Sequence, residues 1–280
     1  MSLIEISMIA EEIRNRKGPR KAQDIIPEVL GLLNTGQIQT VNLTEWLAID
    51  HVKLIGEVFP SLGISNADLN TVLDKLRRQK KPTAMNSTKT VGHTIHDLNQ
   101  GKASLYDVFD RLSAHQSDAI RCYSPYLIAL DHSLDLKEKL NRVKPLVADE
   151  HFGVREVVWM AMRPEIDRSL DQAIKLLTNW TQSEDNNIRR FTTEVSRPRG
   201  VWCKHIDRLK EDPNLALPIL ENLKSDPSKY VQDSVANWLN DASKTQAQFV
   251  IDLCDRWRVE SPTKETQRIV KRARRTIDKG

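Results

Sequence analysis

Val154-Arg155-Glu156-Val157-Val158-Trp159-Met160-Ala161-Met162-Arg163-Pro164 and Ile188-Arg189-Arg190-Phe191-Thr192-Thr193-Glu194-Val195-Ser196-Arg197-Pro198 align at an offset of 34 residues. Ile120-Arg121 carries the pattern one further period back, and Val231-Gln232 resumes it 43 residues later, so one unit holds an insertion. A recurring period of this length marks stacked helical repeats. Within each copy the apolar residues follow a 3.6-residue spacing: Val154, Val157, Val158 and Ala161, then Ile188, Phe191, Thr192 and Val195, then Val231, Ser234, Val235 and Trp238. That spacing sets one buried stripe on each inner helix. An outer helix is expected before each: Leu134–Val147, Leu170–Trp180 and Leu215–Leu223, with Phe249–Trp257 leading to Ile269–Ile277. The polar joints Ala148-Asp149-Glu150, Ser183-Glu184-Asp185-Asn186-Asn187 and Ser225-Asp226-Pro227-Ser228 supply N-cap acceptors.

A pair of such helices cannot bury its stripe alone, and stacking on neighbours resolves this. The expected fold is therefore all-α, a HEAT-like helical-repeat solenoid (α-α superhelix). Residues 1–117 are less regular. Helices are expected at Ile4–Arg14, Ile25–Leu33, Trp46–Phe59, Ala67–Arg78 and Thr90–Leu98, with a polar linker over Lys80–Lys89. They read as a helical cap continuous with the array over 118–280.

Composition narrows the class. The chain has 280 residues, 29% charged, with a net charge of +4, too small an excess to imply nucleic acid unless it is clustered. Three scattered cysteines, Cys122, Cys203 and Cys254, suit a reducing compartment and lack metal-ligand spacing. His93 and His96 lie three apart with no third ligand, so no metal and no cofactor is expected. Glu5, Glu11 and Glu12 break the N-terminal apolar stretch, which argues against a signal peptide. No apolar run approaches the roughly 20 residues of a membrane span. A cytoplasmic location and a monomer are expected.

Superposing the repeats isolates the positions that vary. Two residues after the repeat start stand Glu156, Arg190 and Asp233; six after, Met160, Glu194 and Asn237; nine after, Arg163, Arg197 and Asn240. In stacked helices these rows run side by side, roughly 8–10 Å apart, as a surface mixing carboxylates with arginines. The run Arg189–Glu194, continuing through Arg197-Pro198-Arg199-Gly200-Val201-Trp202, resembles the signature of the DNA alkylation repair family, the HEAT-like alkylpurine DNA glycosylases of the AlkC and AlkD type. Asp226–Asp241 resembles a second signature, and Val154–Trp159 a third. The resemblance covers about residues 118–258 and is nearer the AlkC branch. Gly200-Val201 and the bulky Trp238 depart from the family's pattern.

The resemblance implies a monofunctional DNA glycosylase acting on N3- or N7-alkylated purines in double-stranded DNA. It places catalytic carboxylates at Glu194, Asp241 and Glu156 and an aromatic at Trp202. The basic and polar residues around them, Arg190, Arg197, Arg199, Lys204, Asn237 and Lys244, are the candidate DNA contacts. The chemistry suits those residue types. An alkylated purine is cationic and leaves readily, so a fixed carboxylate beside the oxocarbenium-like sugar stabilises the developing charge and orients water. An indole face attracts either cation, and cationic side chains hold phosphates and set the register.

Each residue also has a plain structural reading. Glu194 stands four after Arg190 and three before Arg197, the spacing of helix-surface ion pairs. Asp241 suits a helix cap, Glu156 a solvated face, and Trp202 a plug between repeats. Trp159, Trp180, Trp238 and Trp257 read as core. The basic clusters Arg14–Lys21, Arg77–Lys81 and Lys271–Arg275 suit either solvent or phosphate. A non-catalytic DNA-structure-binding protein of the same fold and a protein–protein scaffold are the alternative functions.

Overall fold

The computed structural model describes residues 11–279, and among these every regular element is a helix. The described residues form two compact units: residues 11–134 with 151–158, and residues 135–150 with 159–279. Residues 4–10 of the expected first helix lie outside the described part; Glu11–Arg14 is helical.

Unit 1 contains α1 (Pro27–Asn34), α2 (His51–Val58), α3 (Asn66–Arg77), α4 (Ala84–Asn99), α5 (Ser104–Ser113) and α6 (Ser124–Ala129). Each of α1 to α4 packs on its successor, and α6 closes against α4 and α5. Starts follow side-chain caps: Asp50 accepts from Val52 N and Lys53 N, Ser65 from Asp68 N, and Thr83 from Asn86 N. Two expectations are corrected here. The single helix over Trp46–Phe59 is split at Asp50, because that carboxylate caps a new start after the short helix Leu43–Leu47. The linker over Lys80–Lys89 ends at Thr83, whose cap begins α4 six residues before the expected Thr90. Gly92 lets α4 approach α6: a Cβ there would stand 2.7 Å from Tyr126 Cβ and 2.9 Å from the Tyr123 carbonyl.

Unit 2 contains α7 (Leu136–Val147), the later part of α8 (Phe152–Arg168), then α9 (Leu170–Trp180), α10 (Asn186–Val195), α11 (Leu217–Leu223), α12 (Lys229–Ala242), α13 (Ala247–Glu260) and α14 (Lys264–Ala273). The 34-residue period is realised as two layers. Outer helices α7, α9 and α11 touch in succession, as do inner helices α10, α12 and α14, and hairpin contacts join α9 to α10, α11 to α12 and α13 to α14. The expected apolar stripe is the buried one: Ile188, Phe191 and Val195 on α10, Val231, Val235 and Trp238 on α12, Ile269 and Val270 on α14. Full burial of side chains this size contributes about 1.5–3 kcal/mol each. Where α10 crosses α12 the contact is polar and close, the Thr193 and Ser234 hydroxyls sharing a hydrogen bond of 2.5 Å.

The joints differ in how they cap. Asp185 accepts from Asn187 N. Ser228 makes no cap bond to its own helix; its hydroxyl takes the Asn186 amide instead, while Asp226 accepts from Ser228 N and pairs with Arg189 at 2.6 Å. Of the tryptophans read as core, Trp159, Trp238 and Trp257 are buried, whereas Trp180 is half-buried, tilted against Phe191 with the Lys144 ammonium over its ring.

Candidate functional site

The site grows from the C-terminal ends of α10 and α12. Glu194 is 3% exposed. Its Oε1 lies 3.5 Å from Arg190 and its Oε2 lies 3.4 Å from Arg197, so both helix-spaced ion pairs are present. Arg197 does more. Its Nε and Nη2 also donate to Asp241 Oδ2 at 2.8 and 2.6 Å, and Lys244 reaches Asp241 Oδ1 at 3.1 Å. One guanidinium thus joins the carboxylates of two neighbouring inner helices, and three cations serve two acids. Burial works against the Arg197 charge, but the Glu194 and Asp241 carboxylates outweigh it and hold its pKa above the ordinary arginine value. The cap reading of Asp241 is corrected: the residue lies inside α12, which runs on to Ala242, and its oxygens face side-chain cations.

Arg190 is anchored a second way, with its guanidinium carbon 4.3 Å from the centre of the Tyr230 ring. Tyr230 escaped the sequence reading. It precedes the repeat's first apolar position by one, and nothing local marks it as the stacking partner of a residue 40 positions away.

Beyond α10 the chain enters an arm, residues 196–206, which carries Arg199, Trp202 and Lys204. Trp202 is 67% exposed and sits at φ +61°. The plug reading is therefore corrected: the indole stands out of the protein. Left-handed backbone at a bulky side chain costs about 1–2 kcal/mol, and such strain persists only where the surroundings over-determine it. Arg199 makes no ion pair among the described residues, and its buried Nε has no hydrogen-bond partner. Lys204 is mostly exposed and lies 3.6 Å from Asp167.

Asn237 stands at the edge of this cluster: it accepts a hydrogen bond from Arg275, whose charge interacts with those of Arg197 and Asp241. Glu156 is half-buried on the part of α8 that belongs to unit 1. The row nine after the repeat start is not a uniform surface. Arg197 faces the acids, Asn240 is buried against Thr276, and Arg163 is 2% exposed, its guanidinium donating to the carbonyls of Val195, Arg197 and Lys204. The matched Arg-Pro pairs also end differently: α8 continues through Pro164 to Arg168, while α10 stops at Val195, before Pro198.

No group of three metal-ligating side chains occurs among the described residues, and no described helix is long and apolar enough to cross a membrane. Of the basic clusters, Arg16 is committed to buried Glu45, and Arg272 and Arg274 to Asp233 and Asp255.

Comparison with known proteins matches residues 155–273 to the family described as DNA alkylation repair enzyme. The uncharacterized protein YhaZ of Bacillus subtilis (strain 168) is 42% identical over 179 residues, covering 62% of this chain and 50% of YhaZ, so the chain spans about half the length of that relative. Among solved structures, the Pseudomonas fluorescens alkylpurine DNA glycosylase AlkC, bound to DNA containing an abasic site analog, aligns with a TM-score of 0.67 at 23% identity, over 82% of this chain and 62% of AlkC. AlkD2 from Streptococcus mutans aligns with a TM-score of 0.59 at 24% identity, over 74% of this chain and 97% of AlkD2. These two likenesses establish the HEAT-like helical fold.

Proposed function

We propose, for a chain whose residues 155–273 match the DNA alkylation repair family, that it is a monofunctional glycosylase removing N3- and N7-alkylated purines from duplex DNA. The observation that carries this reading is the Arg197 bridge, which joins the carboxylates of Glu194 and Asp241 at the start of an arm bearing an exposed indole.

The reaction is a hydrolysis. The bond between C1′ and N9 of the alkylated purine breaks, and its electron pair leaves with the base, which departs neutral because it began cationic. Water adds to C1′ and loses one proton to solvent or a carboxylate. The products are free alkylbase and an abasic deoxyribose. Positive charge builds on the sugar in the transition state, so the stabilising group must be negative and must not reorganise. Glu194 and Asp241 meet this need, since Arg190, Arg197 and Lys244 fix their positions. Those cations also supply the positive surround that phosphates require. Arg199, which makes no ion pair among the described residues and whose buried Nε has no hydrogen-bond partner, is a further candidate for a phosphate contact.

Incubation with methylated duplex DNA tests this directly: 3-methyladenine or 7-methylguanine is expected in solution by chromatography. Binding without release of either base would leave the DNA-structure-binding alternative. DNA affinity is expected to fall steeply with salt, and Arg199→Ala to flatten that log–log slope by about 1.

A further inference from the structure

We infer that Arg163, which contributes no side-chain atom to the charged site, is the positioning residue of the arm 196–206 and fixes where Trp202 stands. The proposal rests on the glycosylase reading for its functional consequence but not for its structural content. Arg163 is buried on α8, and its guanidinium donates to carbonyls at both ends of the arm: Val195 and Arg197 at the entry, Lys204 at the exit. Burial lowers its pKa, yet three carbonyl dipoles and no paired carboxylate satisfy its protons. Such a site suits a planar fork with donors fixed in one plane, not an ammonium. Gly200 completes the fit. A Cβ there would lie 2.1 Å from Cys203 Sγ and 3.1 Å from the Arg163 Cζ and Nε, so the arm closes over the guanidinium only because that Cβ is missing. Two further bonds pin the same segment: Trp238 Nε1 donates to the Ser196 carbonyl, and Ile206 N to the Pro198 carbonyl.

Arg163 and Arg197 are the same repeat position used twice. One copy turns inward and grips backbone; the other turns to the acids. A pre-set arm holds the indole in one place relative to α10, where reaction geometry is sensitive to about 1 Å.

The test uses the full-length protein as wild type, Arg163→Lys and Gly200→Ala, read by hydrogen–deuterium exchange without DNA, duplex binding, and single-turnover and steady-state excision. In both variants, amides of 196–206 are expected to exchange at least about tenfold faster while α12 and α14 keep their protection. Excision kcat is expected to fall by about 10–100-fold with little change in KM. Adding Cys203→Ala to Gly200→Ala is expected to restore part of the protection by removing the nearest clash. Unchanged arm exchange in both variants overturns the proposal, and so does loosening spread evenly across unit 2, which would make Arg163 a general core residue. Should the wild type release no base, the exchange result still decides the role of Arg163, and only the glycosylase reading falls.

Discussion

Asp118 in unit 1 and Asp241 in unit 2 are almost equally covered, but their partners differ. Asp118 accepts from Thr40 N at 2.9 Å and Thr40 Oγ1 at 2.8 Å and lies 3.3 Å from His151 Nδ1. Asp241 faces Arg197 and Lys244, two full charges. The same contrast runs through the units. Unit 1 uses its buried polar groups to fix loops: Arg16 donates to Glu45 and to the carbonyls of Ile13 and Gln39, and His51 Nδ1 lies 2.6 Å from the Tyr123 hydroxyl. Unit 2 concentrates ionised groups of both signs at the ends of two inner helices and follows them with an exposed tryptophan. Buried polarity turned on the chain's own loops specifies a fold; charges of both signs clustered at the ends of two inner helices are the arrangement on which the proposed function rests.

The sharpest break of this comparison is Asp118→Ala. It leaves the Thr40 amide and hydroxyl without their acceptor in the buried interior, and a loss of about 3–5 kcal/mol is expected in urea unfolding. Glu194→Gln should do the reverse. Excision is expected to fall by about 10²–10³-fold, some 3–4 kcal/mol of barrier, while stability drops by only about 1 kcal/mol because an amide oxygen still accepts from Arg197. Comparable stability losses in the two variants would erase the distinction.

Acid provides a third test. Burial pushes the His51 pKa from 6.5 down to about 4. The unfolded chain therefore takes up a proton below pH 6.5 that the folded one refuses until about pH 4. Stability is expected to fall across that window and level off below it, by about 3 kcal/mol for full exclusion of the charge. Hydrogen exchange at pH 7 and 5 should show the loss in α2, and His51→Gln should remove that part of the slope. The smallest effect expected is at Trp202→Gly, which relieves the φ +61° strain. Stability should rise or hold, offset by the freedom glycine adds to the unfolded chain, within about 1 kcal/mol, while excision falls. A loss of stability there would mean that the indole packs rather than reaches out.

Much of unit 2 was legible in the chain. The 34-residue offset located α8, α10 and their outer partners, because repeats bury equivalent stripes and so keep equivalent residues. The pairing of Glu194 with Arg190 and Arg197 followed from helix spacing alone. The contacts that escaped join residues far apart in sequence. The Arg197–Asp241 bridge spans 44 positions; the Arg163 grip on Lys204 spans 41. In unit 1 the missed elements were α5, α6 and the short helix Asp118–Arg121. Two of these three are only 4 and 6 residues long, too short to display a period.

By itself the sequence determined that the chain is helical and layered, and that acids and arginines recur at matched places on the inner helices, because a 3.6-residue period and a fixed repeat leave no other way to bury the apolar stripes. Tertiary structure decided the rest. Identical repeat positions meet different surroundings, so Arg163 finds three carbonyls and turns in while Arg197 finds two carboxylates. The backbone of Trp202 takes a left-handed turn that no local preference of tryptophan would select.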